Sequence, residues 1–318
     1  MRTDFFRATV FLISAVFLFS TQDVIVKWIS GSYPVHEIVL IRSISGIIPL
    51  LFLAHFLGGV HALRTRRWAA HIGRSLIMFA AYTCFYLSLA ALPLAETVTL
   101  FFSSPFFIIM LSSIMLDEKI EIRCWIAVVV GFIGVIIMLK PDVNNINPAA
   151  ILAVLSAFFY ALGSVVTRKL GKTESGIVLA LFPTVAYILF AGILGLLLQL
   201  ISIGDVSHPS LGFLFHAWCL PSQTDLLWMI LLGLLAALGF FGLSQAYRLA
   251  QPALIAPLEY IAVPISVVWG FVLWHEVLQP RSILAALLII ASGLYILGRE
   301  SMSGTKNLLH IFKIKTRK

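Results

Sequence analysis

The sequence predicts an all-α membrane protein, with ten transmembrane helices in two inverted five-helix repeats and both termini cytoplasmic. Three observations predict it. The 318 residues are 60% hydrophobic and only 11% charged, with a mean hydropathy of +1.03, whereas a soluble domain carries about 45–50% apolar and about 25% charged residues. Basic residues fall in every second connecting segment, and landmark residues recur about 159 positions apart.

Crossing a hydrocarbon layer of roughly 30 Å takes about 20 apolar residues as a helix. The first apolar run, 8–29, follows Arg2 and Arg7 as a signal peptide would. It is too long for one, contains Asp23 and Lys27 and lacks a small-x-small cleavage site, so it reads as a retained helix. The second run is 36–57. The third and fourth, 73–92 and 95–116, are parted only by the turn Leu92-Pro93-Leu94, and 123–140 completes the first half. The second half holds 147–167, 176–201, 225–247, 252–274 and 281–298. These runs are continuous and do not alternate with period two, which argues against a transmembrane β-barrel. The resulting units are a first repeat 1–145, a second, inverted repeat 146–300 and a basic cytoplasmic tail 301–318.

Lys and Arg are retained preferentially on the cytoplasmic side. With the amino terminus inside, 18 of the 22 basic residues fall in inner segments: Arg2 and Arg7, the cluster from Arg64 to Arg74, Lys119 and Arg123, Arg168 to Lys172, Arg248, and the tail from Arg299. Only Lys140 and Arg281 fall outside, while Lys27 and Arg42 lie within spans. An odd number of spans would send every downstream loop to the wrong side. The formal charge of +8 is therefore a topological signal and implies no nucleic-acid partner. The tail from Lys306 to Lys318 is solvated or touches anionic lipid. Cys84, Cys124 and Cys219 show no metal-ligand spacing and read as packing residues.

The repeat is legible in matched landmarks. Pro93, Pro105, Glu118, Arg123 and Gly134 recur as Pro252, Pro264, Glu276, Arg281 and Gly293 at offsets of 158 or 159. Because five helices is an odd number, the second copy enters the membrane from the opposite side. Inverted repeats suit a secondary transporter, since halves related by a two-fold axis in the membrane plane can exchange conformations and open alternately to each side. Pro105 and Pro264 sit near the middle of corresponding spans, where a missing amide hydrogen kinks a helix. Paired midspan irregularity points to a central cavity, although membrane helices also tolerate proline for packing alone.

At this stage the residues resemble a known family. Leu116-Asp117-Glu118-Lys119 leading into Arg123, Trp125, Gly131-Phe132-Ile133-Gly134 and Leu139-Lys140-Pro141 is similar to the end of a repeat in EamA-like members of the drug/metabolite transporter superfamily. So are Asp23 with Lys27, Tyr33-Pro34 and Arg42, and Pro257-Leu258-Glu259-Tyr260 in the second half. The resemblance runs from about residue 10 to residue 300. It implies ten helices in two inverted halves and transport of a small organic metabolite across a bacterial inner membrane, with riboflavin, S-adenosylmethionine or an amino acid as candidate cargo. The outer segment 202–224 is longer than the usual pattern.

A charge at the bilayer centre costs about 2.5–3.5 kcal/mol on insertion scales, so each ionisable residue in a span needs a reason. Asp23 and Lys27 lie four apart on one helix face and can pair. With Glu37, Arg42 and Glu96 they occupy the outer half of the membrane, where their nearly cancelling charges suit an outer gate or the rim of a site. Lys27 and Glu37 are close enough to the interface to snorkel to water. Arg42 lies deeper, where it either clamps a substrate carboxylate or phosphate or pairs with Asp23 or Glu96. Glu259, about seven residues from the inner end of its span and between Pro257 and Pro264, is a candidate for proton coupling or for binding a cationic group, with a plain hydrogen bond to a neighbouring helix as the alternative. Tyr82, Tyr86, Phe102, Tyr160, Tyr260 and Trp269 can stack on a flat ring, with Tyr82 and Tyr260 chosen as site residues. Gly131 with Gly134, and Gly239 with Gly242, read as helix-contact residues.

No G-x-x-x-x-G-K-[ST] run is present to power a primary pump, and no H-E-x-x-H marks an intramembrane enzyme. No cofactor is implied, and protons are the candidate coupling ion. The competing readings are a non-transporting sensor or assembly protein and, further off, an enzyme.

Overall fold

The computed structural model describes residues 2–57, 65, 67–115, 122–139, 147–170, 176–200, 208–249 and 256–295. All regular structure among them is helical. In chain order the helices are α1 (Arg2–Ile29), α2 (Val35–Leu57), α3 (Trp68–Leu89), α4 (Leu94–Phe101), α5 (Ser104–Met115), α6 (Ile122–Leu139), α7 (Pro148–Leu170), α8 (Gly176–Gln199), α9 (Pro209–Phe215) and α10 (Gln223–Leu249). A 3₁₀ turn, Ala256–Ile261, leads into α11 (Ala262–Trp274), and α12 (Pro280–Tyr295) follows. Of the sequence landmarks, Arg64, Arg66, Asp117, Glu118, Lys119, Lys140, Pro141, Lys172, Pro252 and the tail 301–318 lie outside the described residues.

Seven helices, with α4 and α5 taken together as Leu94–Met115, are long and apolar enough to cross a membrane. The other three expected spans are helical but shorter, at Trp125–Met138, Glu259–Trp274 and Pro280–Tyr295. Large apolar side chains face outward, with Ile48 72% and Leu196 65% exposed. That surface is stable only against lipid, and the chain is a multi-pass membrane protein.

Two of the expected spans are broken. Between α4 and α5 the chain turns at Phe102 and Ser103. Pro105 occupies the first turn of α5 and has no amide hydrogen to continue the ladder back to Phe101. The Ser103 amide and hydroxyl both donate to the Leu100 carbonyl, at 3.0 and 2.7 Å, which holds the turn together. Pro264 likewise lies in the first turn of α11, just after the 3₁₀ turn, where its absent amide would have reached Tyr260. The corresponding discontinuities are Phe102–Ser103 and the 3₁₀-to-α junction at Ile261–Ala262.

Small residues set the close helix pairs, as expected in lipid. Helix α1 lies along α10, α3 along α7, and α2 between α8 and α10, while α4 packs on α7 and α11. Gly239 and Gly242 admit Phe19, Phe11 and Ala15 of α1, and Gly46 meets Gly233 backbone to backbone. Gly131 lies under the Phe106 ring and Gly134 against Ala285. The segment 208–222 straps the turn between α1 and α2: Tyr33 donates to Asp225 at 2.7 Å, the Cys219 amide to Glu37 at 3.4 Å, and Trp218 stacks on His36. Glu37 is consequently buried under this strap and does not snorkel. The strap also gives the described part of the long segment 202–224 a structural role.

Candidate functional site

Hydrogen bonds sort the helix ends into two layers. At one end meet the last turn of α1, the α3–α4 turn, the loop after α11, the start of α12 and the end of α6. Lys27 of α1 donates from Nζ to the Leu92 carbonyl and pairs with Glu276 Oε1, both at 2.6 Å. The second oxygen of Glu276 accepts the Leu94 amide at 2.9 Å. Ser282 donates to Glu96 Oε1 at 2.7 Å, and Arg281 donates to the Ile137 carbonyl at 3.1 Å. At the opposite end Arg74, near the start of α3, donates to Thr167 of α7 at 2.8 Å and to the Leu179 carbonyl of α8.

The first layer corrects two expectations. Lys27 does not snorkel to water, because its side chain is 10% accessible and engaged by Glu276. Nor does it pair with Asp23, although the two share a face of α1. Glu96 belongs to this layer through Ser282 and through its charge near Lys27, and is bonded away from Arg42. The layer closes this end of the bundle over the centre.

Below it lies a cluster built around Arg42. Its guanidinium donates to the Tyr86 hydroxyl and sits over the rings of Tyr82 and Tyr86, at 5.5 and 5.8 Å. Gln22 donates to the same hydroxyl at 2.9 Å. Tyr86 is fully buried and fixed by two donors, so it holds Arg42 in place. Tyr187 of α8 meets Tyr82 edge-on with ring centroids 6.1 Å apart. Asp23 feels the charge of Arg42, yet among the described residues no hydrogen bond reaches its carboxylate. Asp23 and Tyr82 lie deep between helices but keep part of their surface accessible. Arg42 spends a single hydrogen bond on a side chain, and its other N–H groups are not sealed. Acid and guanidinium therefore lie in the same part of the bundle interior, within electrostatic reach of each other.

Rings continue from that cluster across the break in the fourth span. Phe101 packs on Phe85 and on Tyr160, with centroids 5.2 and 5.0 Å apart, and Phe102 lies 4.8 Å from Tyr260. Tyr160 is electrostatically coupled to both Tyr82 and Glu259, and Tyr260 to Glu259. The structure thus brings Asp23, Arg42 and Tyr82 into one cluster and Glu259 with Tyr260 into an adjoining one. It sends Glu96 to the closed end. Cavities of about 340 and 440 Å³ lie elsewhere, beside Arg74 and Lys169 and beside Phe6 and Arg7.

Sequence reasoning missed Gln22, Tyr187, Glu276 and Ser282 as site residues. Tyr86 was named as a ring able to stack, and the structure uses its hydroxyl to hold Arg42 and Gln22. Glu276 had shown only as a repeat landmark.

Comparison with known proteins agrees with this architecture. The model of the EamA-like transporter family matches residues 6–140. The S-adenosylmethionine uptake transporter of Rickettsia prowazekii is 26% identical over 294 residues, covering 92% of each chain. The riboflavin transporter of Vibrio cholerae is 25% identical, covering 91% of this chain and 92% of that protein. The pseudopaline exporter of Pseudomonas aeruginosa is 26% identical, covering 92% and 96%. A solved crystal structure superposes with a TM-score of 0.58 at 19% identity, covering 90% of this chain and 94% of that one, which establishes likeness of fold. Over residues 6–140 the chain matches the EamA-like transporter family, and over about nine-tenths of its length it is similar to membrane transporters.

Proposed function

We propose that this protein is a secondary transporter that carries a small organic metabolite across a bacterial inner membrane by alternating access. Ten spans form two inverted five-helix halves, with both termini cytoplasmic and the layer of Lys27 and Glu276 facing outward.

One observation carries the reading. Numbering the spans in order, with α4–α5 as the fourth and the 3₁₀ turn with α11 as the ninth, each major packing pair has a counterpart when the halves are exchanged. The first span on the eighth (α1 on α10) answers the sixth on the third (α7 on α3); the second on the seventh and the fourth on the ninth map onto themselves. A two-fold relation between halves accounts for this pattern, and the paired breaks at Pro105 and Pro264 follow it. Five spans per half place the axis in the membrane plane, the geometry that permits alternating exposure of one site.

The ion-paired layer ties the outer end together above Asp23, Arg42 and the tyrosines, so we read this conformation as shut to the outside. The rings supply stacking surface for a flat cargo, and Arg42 supplies a directional cation. To Glu259, electrostatically coupled to Tyr160 and Tyr260, we assign the uptake of a proton or a cationic group. The test is uptake into proteoliposomes of labelled S-adenosylmethionine, riboflavin and aromatic amino acids, with and without an imposed pH gradient. Saturable movement of one of them supports the reading. A sensor, an assembly protein or an enzyme would give no flux.

A further inference from the structure

We propose that the cavity between the start of α3 and the end of α7 is a binding site for one anionic phospholipid, with its phosphate held among Arg67, Arg74 and Lys169 and an acyl chain laid along Gly73 and Ile77. The site is separate from the central cluster and requires only that the chain sit in a membrane.

The cavity measures about 340 Å³ and is lined by Arg67, Gly73, Arg74 and Ile77 of the α3 side and by Val166 and Lys169 of α7. The two helices pack closely along their length. Space remains here because Gly73 brings no side chain, and one added there would meet nothing within 4 Å. Gly73 is also exposed on the outside of the bundle, so the cavity is open to the bilayer. From Arg67 to Ile77 the lining runs ten residues, roughly 15 Å along a helix, which is about the depth of one leaflet of a 30 Å hydrocarbon layer. Trp68, next to Arg67, is 60% exposed and packs on Phe182. Exposed tryptophan marks the head-group level, so the mouth of the cavity lies where lipid phosphates lie.

The charges at this mouth are of one sign. Arg74 is 4% exposed and donates to the Thr167 hydroxyl at 2.8 Å and to the Leu179 carbonyl, both neutral acceptors. Its Nε is buried and has no hydrogen-bond partner among the described residues. Nor, among those residues, does a carboxylate pair with Arg67, Arg74 or Lys169. A buried cation without a counter-ion is costly, and Arg67 and Lys169, exposed beside it, add like charge. An anion relieves all three. Free phosphate would supply the charge but leave the apolar floor of Gly73, Ile77 and Val166 unfilled, whereas a phospholipid fills both parts. Basic pockets between membrane helices suit acidic head groups for this reason. Because Arg74 ties α3 to α7 and α8, a lipid bound there would brace that junction.

The experiment uses the full chain, delipidated in detergent, with phosphatidylglycerol, phosphatidylcholine, glycerol phosphate and inorganic phosphate as probes. Native mass spectrometry reads the lipid bound and a thermal scan reads Tm. The first phosphatidylglycerol should bind about five- to thirtyfold more tightly than phosphatidylcholine, the factor that one or two basic side chains at a membrane surface produce, and should raise Tm. Arg67→Gln combined with Lys169→Gln should abolish that preference, while Arg123→Gln, at the start of α6, should keep it. Gly73→Phe occupies the cavity with every charge intact; it should weaken the bound phosphatidylglycerol about tenfold, as loss of a few buried methylenes does, and leave the lipid-free Tm unchanged. Each variant alters an exposed position, and the lipid series is read on the unmodified protein, so a folding failure does not decide the matter. Equal binding of the two lipids would overturn the proposal, as would a preference that survives both the charge and the Gly73 variants. Displacement of the lipid by inorganic or glycerol phosphate at similar concentration would assign the site to a soluble anion and overturn it too.

Discussion

Replacing Lys27 by Met should unlock the outer end of the bundle. Lys27 makes the ion pair with Glu276 and the bond to the Leu92 carbonyl, both at 2.6 Å, and so ties α1 to the α3–α4 turn and to the loop after α11. Removing one partner of a fully buried ion pair costs about 3–5 kcal/mol. The two side chains are 10% and 20% accessible, so water screens part of the interaction, and roughly 2 kcal/mol of support for the closed state is expected to be lost. That corresponds to about a thirtyfold change in the equilibrium. An outward-open state holding roughly 3% of molecules would rise to about half. Spin labels at Gly31, where an added side chain meets nothing within 4 Å, and at Val277, which is 77% exposed, straddle the layer. With the native cysteines replaced, pulsed dipolar spectroscopy should show a longer distance in Lys27→Met and Glu276→Gln, and the original distribution in Lys27→Arg. Unchanged distributions in both neutral variants would refute the view that this pair holds the outer end shut.

Gly233→Val places a side-chain carbon about 2.6 Å from the Gly46 amide nitrogen; forcing α2 from α10 should cost about 1–3 kcal/mol and lower Tm in detergent, whereas Gly31→Ala should not. Ser282→Ala removes a fully buried donor to Glu96 and should destabilise the protein by about 1–3 kcal/mol in the same thermal assay. In Pro105→Ala and Pro264→Ala the broken spans can extend their hydrogen-bond ladders, so uptake should slow while Tm holds or rises; unchanged turnover would mark the breaks as packing features. Glu259→Gln should flatten the dependence of uptake on an imposed pH gradient, and an unaltered pH profile would assign proton coupling elsewhere.

Several features were legible in the sequence because their causes are local. Bilayer thickness fixes how many consecutive apolar residues a span needs, so the apolar runs could be placed from composition, and the described residues hold seven helices long and apolar enough to cross a membrane and three shorter apolar ones. Proline removes an amide wherever it stands, so the breaks near Pro105 and Pro264 could be anticipated, although the 3₁₀ geometry of Ala256–Ile261 could not. Asp23, Arg42 and Tyr82 stood out because charge and ring are rare or costly inside lipid.

What the sequence by itself determined, then, was everything set by the solvent: which segments are apolar, where they must bend, and which polar side chains need an explanation. Only the tertiary structure decided which groups meet. Lys27 and Asp23 are one turn apart on the same helix, yet one joins Glu276, 249 positions away, and the other comes within electrostatic reach of Arg42. The strap from 208 to 222 that buries Glu37, and the Tyr86 hydroxyl that steadies Arg42, depend on helix rotation and packing. Neither periodicity nor hydropathy encodes these, because each is fixed by the close approach of small residues such as Gly46 and Gly233 on helices distant in sequence.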